Sequence, residues 1–164
     1  YIEKFNTSEF LTGTLISVDG LGAIFGATLI SMFILARPVV VFFCLVVLLL
    51  TLLLVVSFTP NIILLTFFLF LIGIGSAAYS TLQSAIIYGY SQEALRSPTF
   101  SLLTIAIGTG FLGGINIAWL GGFYDVSGII KMMSTQGLIA LCLVILILKI
   151  RFKNHSLDHL FTKK

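Results

Sequence analysis

Apolar residues run along this chain in long continuous blocks, broken by short polar or turn-forming stretches. No charge falls between Arg37 and Glu93. A membrane-crossing helix needs roughly 20 residues, so that stretch is long enough for two spans, and Thr59-Pro60-Asn61 divides it with turn chemistry. The same reading along the chain predicts an all-α polytopic membrane protein with five spans, near residues 10–36, 39–58, 62–90, 98–122 and 129–150. They make one bundle over residues 1–153, followed by a basic tail at 154–164. A β-barrel is excluded, because its strands alternate apolar and polar positions.

Composition sharpens the picture. Hydrophobic residues make up 59% of the chain and charged ones 9%, whereas a soluble domain carries about 25% charged residues to cover its surface. With a mean hydropathy of +1.16, a water-soluble globule and a disordered chain are both excluded, and the lipid bilayer is the first partner. Nine basic and six acidic side chains, net +3, are too few and too dispersed to track phosphates, so nucleic acid is not expected as a partner. Cys44 and Cys142 both lie inside apolar runs, where a thiol acts as a small hydrophobe. They imply neither a disulfide framework nor a metal site, and no cofactor motif accompanies them. Tyr1 opens the chain, with no basic segment, short apolar core and cleavage site before the first span, so this is not a secretory signal. The expectation is a piece of a longer polypeptide.

Basic residues set the expected orientation. Lys149, Arg151, Lys153, Lys163 and Lys164 follow or end the fifth span, and Arg37 and Arg96 lie in connections on the same side, against Lys4 and Lys131 on the other. That asymmetry predicts a cytoplasmic C-terminus, and it starts residues 1–9 outside.

The spans differ in kind. The second, Val39 to Phe58, lacks glycine, and the fifth has one glycine, Gly137, and one strong polar group, Gln136. Both read as outer helices, because lipid-facing surfaces can be uniformly apolar while packed helices need small residues. The first, third and fourth hold most glycines and intramembrane polar groups, and read as inner helices. At about 100° per residue, the fourth span puts Ser101, Thr104, Gly108, Asn116 and Trp119 on one side. Ala106, Gly110, Gly114 and Gly121 fall on the other, with Gly110 and Gly114 spaced for close helix approach. In the third span Gly75, Ser76, Tyr79, Ser80 and Gln83 share one arc of the helix surface. Polar stripes inside a bilayer suggest a cavity, and make Tyr79, Ser80, Gln83, Asn116 and Trp119 candidates for a substrate pathway. The plainer reading is that such groups hold helices together, and that Trp119 anchors at the interface.

Asp19 lies on the first span beside Gly22, Ala23 and Gly26, and so faces protein. With the span centred near residue 23, the helical rise puts it roughly 6 Å to the outer side of the midplane, where a carboxylate costs about 2.5–3.5 kcal/mol on insertion scales. It is a candidate proton-coupling group, the alternative being a carboxyl held by a neighbouring helix. His155, Asp158 and His159 cluster in the tail, yet two histidines and a carboxylate at a terminus read as solvated, and no metal is expected. Leu157, Leu160 and Phe161 among lysines suggest a short helix on the membrane surface.

The run Leu71-Ile-Gly-Ile-Gly-Ser-Ala-Ala-Tyr-Ser-Thr-Leu-Gln-Ser84 resembles the tenth helix of a major facilitator superfamily carrier. Gln92-Glu-Ala-Leu-Arg96 resembles its following loop, and Ser101-Leu, Gly113-Gly114 and Gly121-x-x-x-Asp125-x-x-Gly128 resemble the eleventh helix. Gly20-Leu-Gly22-Ala-Ile-Phe-Gly26-Ala resembles the eighth. The likeness covers about residues 8–152 and identifies the fold better than the substrate. The family's Gly/Asp/Arg-rich loop is absent, its place taken by Leu35-Ala-Arg37-Pro38, which favours the C-terminal half. Arg96 matches the loop arginine, with Ser97 suited to cap the next helix and Pro98 to its first position.

The resemblance implies part of a secondary active transporter that works by alternating access, with the eighth, tenth and eleventh helices along the cavity. It implies a missing N-terminal bundle and a small-molecule substrate as partners, with protons as a candidate coupling ion through Asp19. Efflux is preferred, because basic residues that would suit an acidic substrate are lacking from the spans. The competing class is a complete multi-span protein forming a homo-oligomeric channel or an assembly subunit. An intramembrane enzyme finds no His-Glu-x-x-His, paired aspartates on one helix or Gly-x-Ser-x-Gly, so no catalytic residue is expected.

Overall fold

Chain length and hydropathy dictate the architecture, since in lipid every backbone polar group must be satisfied within a helix or a closed barrel. The computed structural model describes residues 9–32 and 37–151, and all its regular structure is helical. The helices are α1 (Glu9–Met32), α2 (Pro38–Ser57), α3 (Ile62–Tyr90), α4 (Glu93–Gly108), α5 (Gly110–Leu120) and α6 (Val126–Arg151). Together α4 and α5 make one span, so five helical stretches are long and apolar enough to cross a membrane. His155, Asp158, His159 and the rest of the tail lie outside the described residues, as do residues 33–36 of the first connection.

Local chemistry explains where the helices begin. Pro38 opens α2 in the first turn, where its missing N–H costs nothing. Asn61 caps α3, its side-chain oxygen accepting from the Ile63 N–H at 2.9 Å, as residues of this type do at helix starts. The fifth span starts three residues before its expected position, because the Asp125 carboxylate accepts from the Gly128 N–H at 3.1 Å and so supplies the cap. The fourth span starts earlier still. Its first helix opens at Glu93, with Gln92 at the cap and an acidic side chain in the first turn to suit the helix dipole. Ser97 therefore does not cap it, and Pro98 sits inside α4 instead of at its first position.

The turns define two ends of the bundle. One carries the Phe58–Asn61 and Gly121–Asp125 connections, here the Pro60 end; the other carries Arg37 and the Ser91–Gln92 turn, here the Gln92 end. In space the order of packing is α1, α3, α2, α6, with α1 against α3 the most extensive contact. Among the described residues, α4 touches mainly α3 near the turn, and α5 touches α6. The buried side chains concentrate at the Pro60 end, where Val56, Ser57, Thr59, Leu65, Leu120 and Ser127 lie. There the Ser127 hydroxyl donates to the Ser57 carbonyl at 2.5 Å, joining α6 to α2. The Lys131 ammonium stands 4.3 Å from the centre of the Phe58 ring, a cation–π contact that is a second tie between the same spans.

The position of α2 differs from what its composition suggests. Although free of glycine, it has a neighbour on each side, α3 and α6. The reason is that its neighbours supply the small residues. A Cβ built on Gly75 of α3 would stand 2.8 Å from Leu49 Cδ2, and one built on Gly137 of α6 would stand 2.8 Å from Leu50 Cδ2. Two successive leucines of a uniformly apolar helix, about 100° apart around its axis, thus fill glycine gaps on two different neighbours.

Candidate functional site

The third span organises the candidate site. At about 100° per residue, its surface divides into strips. Phe70, Gly73 and Ile74 form the strip against α1: Gly22 lies against the Phe70 carbonyl, Gly26 against the Ile74 carbonyl, and Gly73 against the Asp19 carbonyl. No side chain separates the two backbones there. Phe25 and Phe70 meet edge to face beside this crossing, with ring centres 6.0 Å apart, a geometry that suits the ring quadrupoles. Gly75 and Tyr79 form the strip against α2, Gly75 facing Leu49 and Tyr79 stacked on Phe42 at 5.0 Å between ring centres.

Between these packed strips lies a polar one. Ser76 and Ser80 are exposed and Gln83 is half-buried. The serine hydroxyls are satisfied within the helix, Ser76 donating to the Gly73 carbonyl and Ser80 to the Ala77 carbonyl, each at 3.1 Å. Hydroxyls satisfied in this way can sit in a bilayer without the cost of an orphaned donor, yet their oxygens still have lone pairs to offer a polar ligand. The arc expected to be one polar face is therefore two: Gly75 and Tyr79 pack against α2, while Ser76, Ser80 and Gln83 remain open.

Other candidate residues fall elsewhere. Asn116 of α5 turns to the fifth span, its amide donating to Gln136 Oε1 at 3.2 Å and lying 3.4 Å from Met133 Sδ. Trp119, exposed near the Pro60 end, meets Phe123 edge to face at 5.5 Å. Neither stands with Gln83, which lies towards the opposite end of its span. Asp19 is half-buried on the α1 face that packs against α3, two residues from the middle of the described span. At the helical rise that is roughly 3 Å from its centre. Arg96 lays its guanidinium over the Tyr88 ring at 4.1 Å from the ring centre, joining α4 to α3 at the Gln92 end. A Cβ on Gly110 or Gly114 would meet nothing within 4 Å, in contrast to Gly22 and Gly26.

Two packing features escape a reading by composition. Gly73 and Gly75 lie on different faces of α3 and receive different partners, and the signal for that was their Gly-x-Gly spacing, which sets them on nearly opposite sides of a helix. The groove of about 480 Å³ lined by Leu50, Leu53, Ile117, Ile129 and Met133 was not legible, since each of those residues reads as lipid-facing alone. Among the described residues no cluster of His, Cys, Asp or Glu has the makings of a metal site.

The described residues thus form an all-helical bundle of five apolar spans, with a polar strip on α3. The chain matches the Major Facilitator Superfamily model over residues 1–163, and it belongs to that family. It is an integral membrane protein, a membrane transporter of the major facilitator type. Among curated proteins and among solved structures, none matches the chain at significance.

Proposed function

We propose that the chain is part of the C-terminal bundle of a secondary active transporter, which moves a small molecule by alternating access with efflux as its direction. The observation that carries this reading is the open strip Ser76, Ser80 and Gln83 on α3, between the surfaces packed by α1 and α2. In a carrier of this family the site lies near mid-membrane between two bundles, and Ser76 is the middle residue of α3. Ser80 and Gln83 continue the strip from there towards the Gln92 end, which the basic residues assign to the cytoplasm. The remaining wall would come from an N-terminal bundle. Asn116 and Trp119 belong to the pathway on this reading only if the Asn116–Gln136 bond opens during transport, and Tyr79 acts by packing its helix against α2.

Asp19 is the coupling candidate, its carboxyl loading a proton when the pathway opens to the acidic side. Arg96 serves as the cytoplasmic loop arginine and orients the turn through Tyr88. The protein performs no covalent chemistry on this reading and resides in the cell membrane. The competing reading is a homo-oligomeric channel or assembly subunit, in which α3's strip faces a second copy.

Thiol labelling tests the pathway. With Cys44 and Cys142 replaced by serine, Ser76→Cys, Ser80→Cys and Gln83→Cys should react with a charged, membrane-impermeant maleimide at least tenfold faster than Phe67→Cys on the apolar side of the same helix. Equal rates would place the strip in lipid and end the reading. For coupling, Asp19→Asn should abolish the dependence of substrate movement on an imposed proton gradient; an unchanged dependence removes Asp19 from that role.

A further inference from the structure

The fourth span is two helices fastened to different neighbours. Its first part, α4, is tied to α3 at the Gln92 end through Arg96 and Tyr88. Its second part, α5, is tied to α6 at the Pro60 end through Asn116, Gln136 and Met133, with Leu120 buried beside them. Between these anchors the span lies open: Leu102, Ile105, Ile107, Phe111 and Leu112 are all exposed. No residue of its most apolar stretch is buried, against 22% in the third span.

The two parts meet at Thr109, between Gly108 and Gly110. Here the hydrogen-bond ladder changes partners. The Thr109 hydroxyl donates to the Ala106 carbonyl at 2.6 Å, taking the acceptor that the Gly110 N–H would use in an unbroken helix. The Leu112 N–H donates to the Thr109 carbonyl at 3.0 Å, one residue short of its α-helical partner Gly108. The interruption thus has a side-chain donor that satisfies a freed carbonyl, which is what allows a break inside lipid. On either side of it, a Cβ on Gly108 or Gly110 would meet nothing within 4 Å, so among the described residues no packed neighbour holds the angle. Thr109 lies close to the middle of the span.

We infer that Thr109 is a hinge: α4 moves with α3 and α5 moves with α6, and the fourth span bends where they meet. Sharp helix bends occur where glycine or a side-chain hydrogen bond interrupts the ladder, and this site has both. A hinge at this point lets one end of the span open without the other. The inference is independent of the transport reading, since it rests on how the span is anchored and not on what passes beside it.

Pulsed spin-resonance distances in the full native polypeptide, reconstituted in lipid nanodiscs with Cys44 and Cys142 replaced by serine, test it. One label pair, Leu102→Cys with Ile139→Cys, reports α4 against α6; the other, Phe111→Cys with Ile139→Cys, reports α5 against α6. The first pair should give a broad or two-peaked distribution at least twice as wide as the second. Adding Gly108→Ala and Gly110→Ala should narrow the first to the width of the second and leave the second unchanged. Thr109→Val, which keeps the shape and removes the hydroxyl donor, should shift the first distribution and not the second, and it serves where the double alanine variant fails to insert. Equal widths for the two pairs, or a first distribution that neither substitution alters, would overturn the hinge.

Discussion

The first and fourth spans carry the same spacing of glycines, Gly22-x-x-x-Gly26 and Gly110-x-x-x-Gly114, with opposite results. On α1 the pair lies directly on the α3 backbone, where a Cβ at Gly22 or Gly26 would run into the carbonyls of Phe70 and Ile74. On α5 the pair meets nothing within 4 Å among the described residues. The motif therefore states that two backbones can approach, and the other helix decides whether they do. Here α3 answers with Gly73, which opens the reciprocal gap for the Asp19 carbonyl, and no described helix makes the same reply to α5. Complementarity across an interface, more than a motif on one side, sets the packing.

Filling the engaged interface should have the largest effect. Gly26→Ala pushes a methyl group into the Ile74 carbonyl and stands 2.8 Å from the Ile74 Cα, and backbone cannot turn aside as a side chain can. Overpacking of this kind costs about 1–3 kcal/mol, and the upper end applies because α1 must move bodily off α3. The expected result is a thermal midpoint in detergent lowered by several degrees, or loss of the monodisperse species in size-exclusion chromatography. Unchanged stability would mean that α1 does not cross α3 at these glycines.

A smaller loss should follow where the glycine faces a side chain. At Gly75 the obstacle is the far end of Leu49, which can change rotamer at a cost of order 0.5–1.5 kcal/mol. Gly75→Ala should therefore destabilise by about 1 kcal/mol, and in a Leu49→Ala background the same substitution should cost almost nothing. Additive losses in this double-mutant cycle would show that Leu49 does not occupy the Gly75 gap.

The contrast between these two interfaces explains what the sequence made legible. Five spans and an all-helical fold follow from the length of the apolar runs, because a bilayer leaves almost no alternative. The Asn61 cap and the Pro60 turn could be read directly from residue type. The neighbours of α2 could not: its glycine-free surface reads as lipid-facing, and the glycines that receive Leu49 and Leu50 stand on other helices. Polar residues misled in a similar way. Tyr79 shares an arc with Ser80 and Gln83 but is held by Phe42, and Asn116 shares a face with Ser101 and Thr104 but is held by Gln136. A helical wheel orders residues around one axis, and partners are chosen across two.

The smallest effect is expected where the motif lies open, and it is also the one that sharpens the comparison furthest. Gly114→Ala adds a methyl group with nothing within 4 Å, and alanine is favoured over glycine inside a helix by up to about 1 kcal/mol. The substitution should therefore leave stability unchanged or raise it slightly, with an increase of about 0.5 kcal/mol in an unfolding titration. Because Gly114 lies four residues beyond Gly110, away from the Thr109 interruption, the result does not mix with the hinge. A loss comparable to that of Gly26→Ala, measured in the full native polypeptide, would mean that another helix lies on this face with its backbone as close as α3 lies to α1. The two motifs would then be equivalent after all, distinguished only by where in the polypeptide the second helix of each pair is encoded.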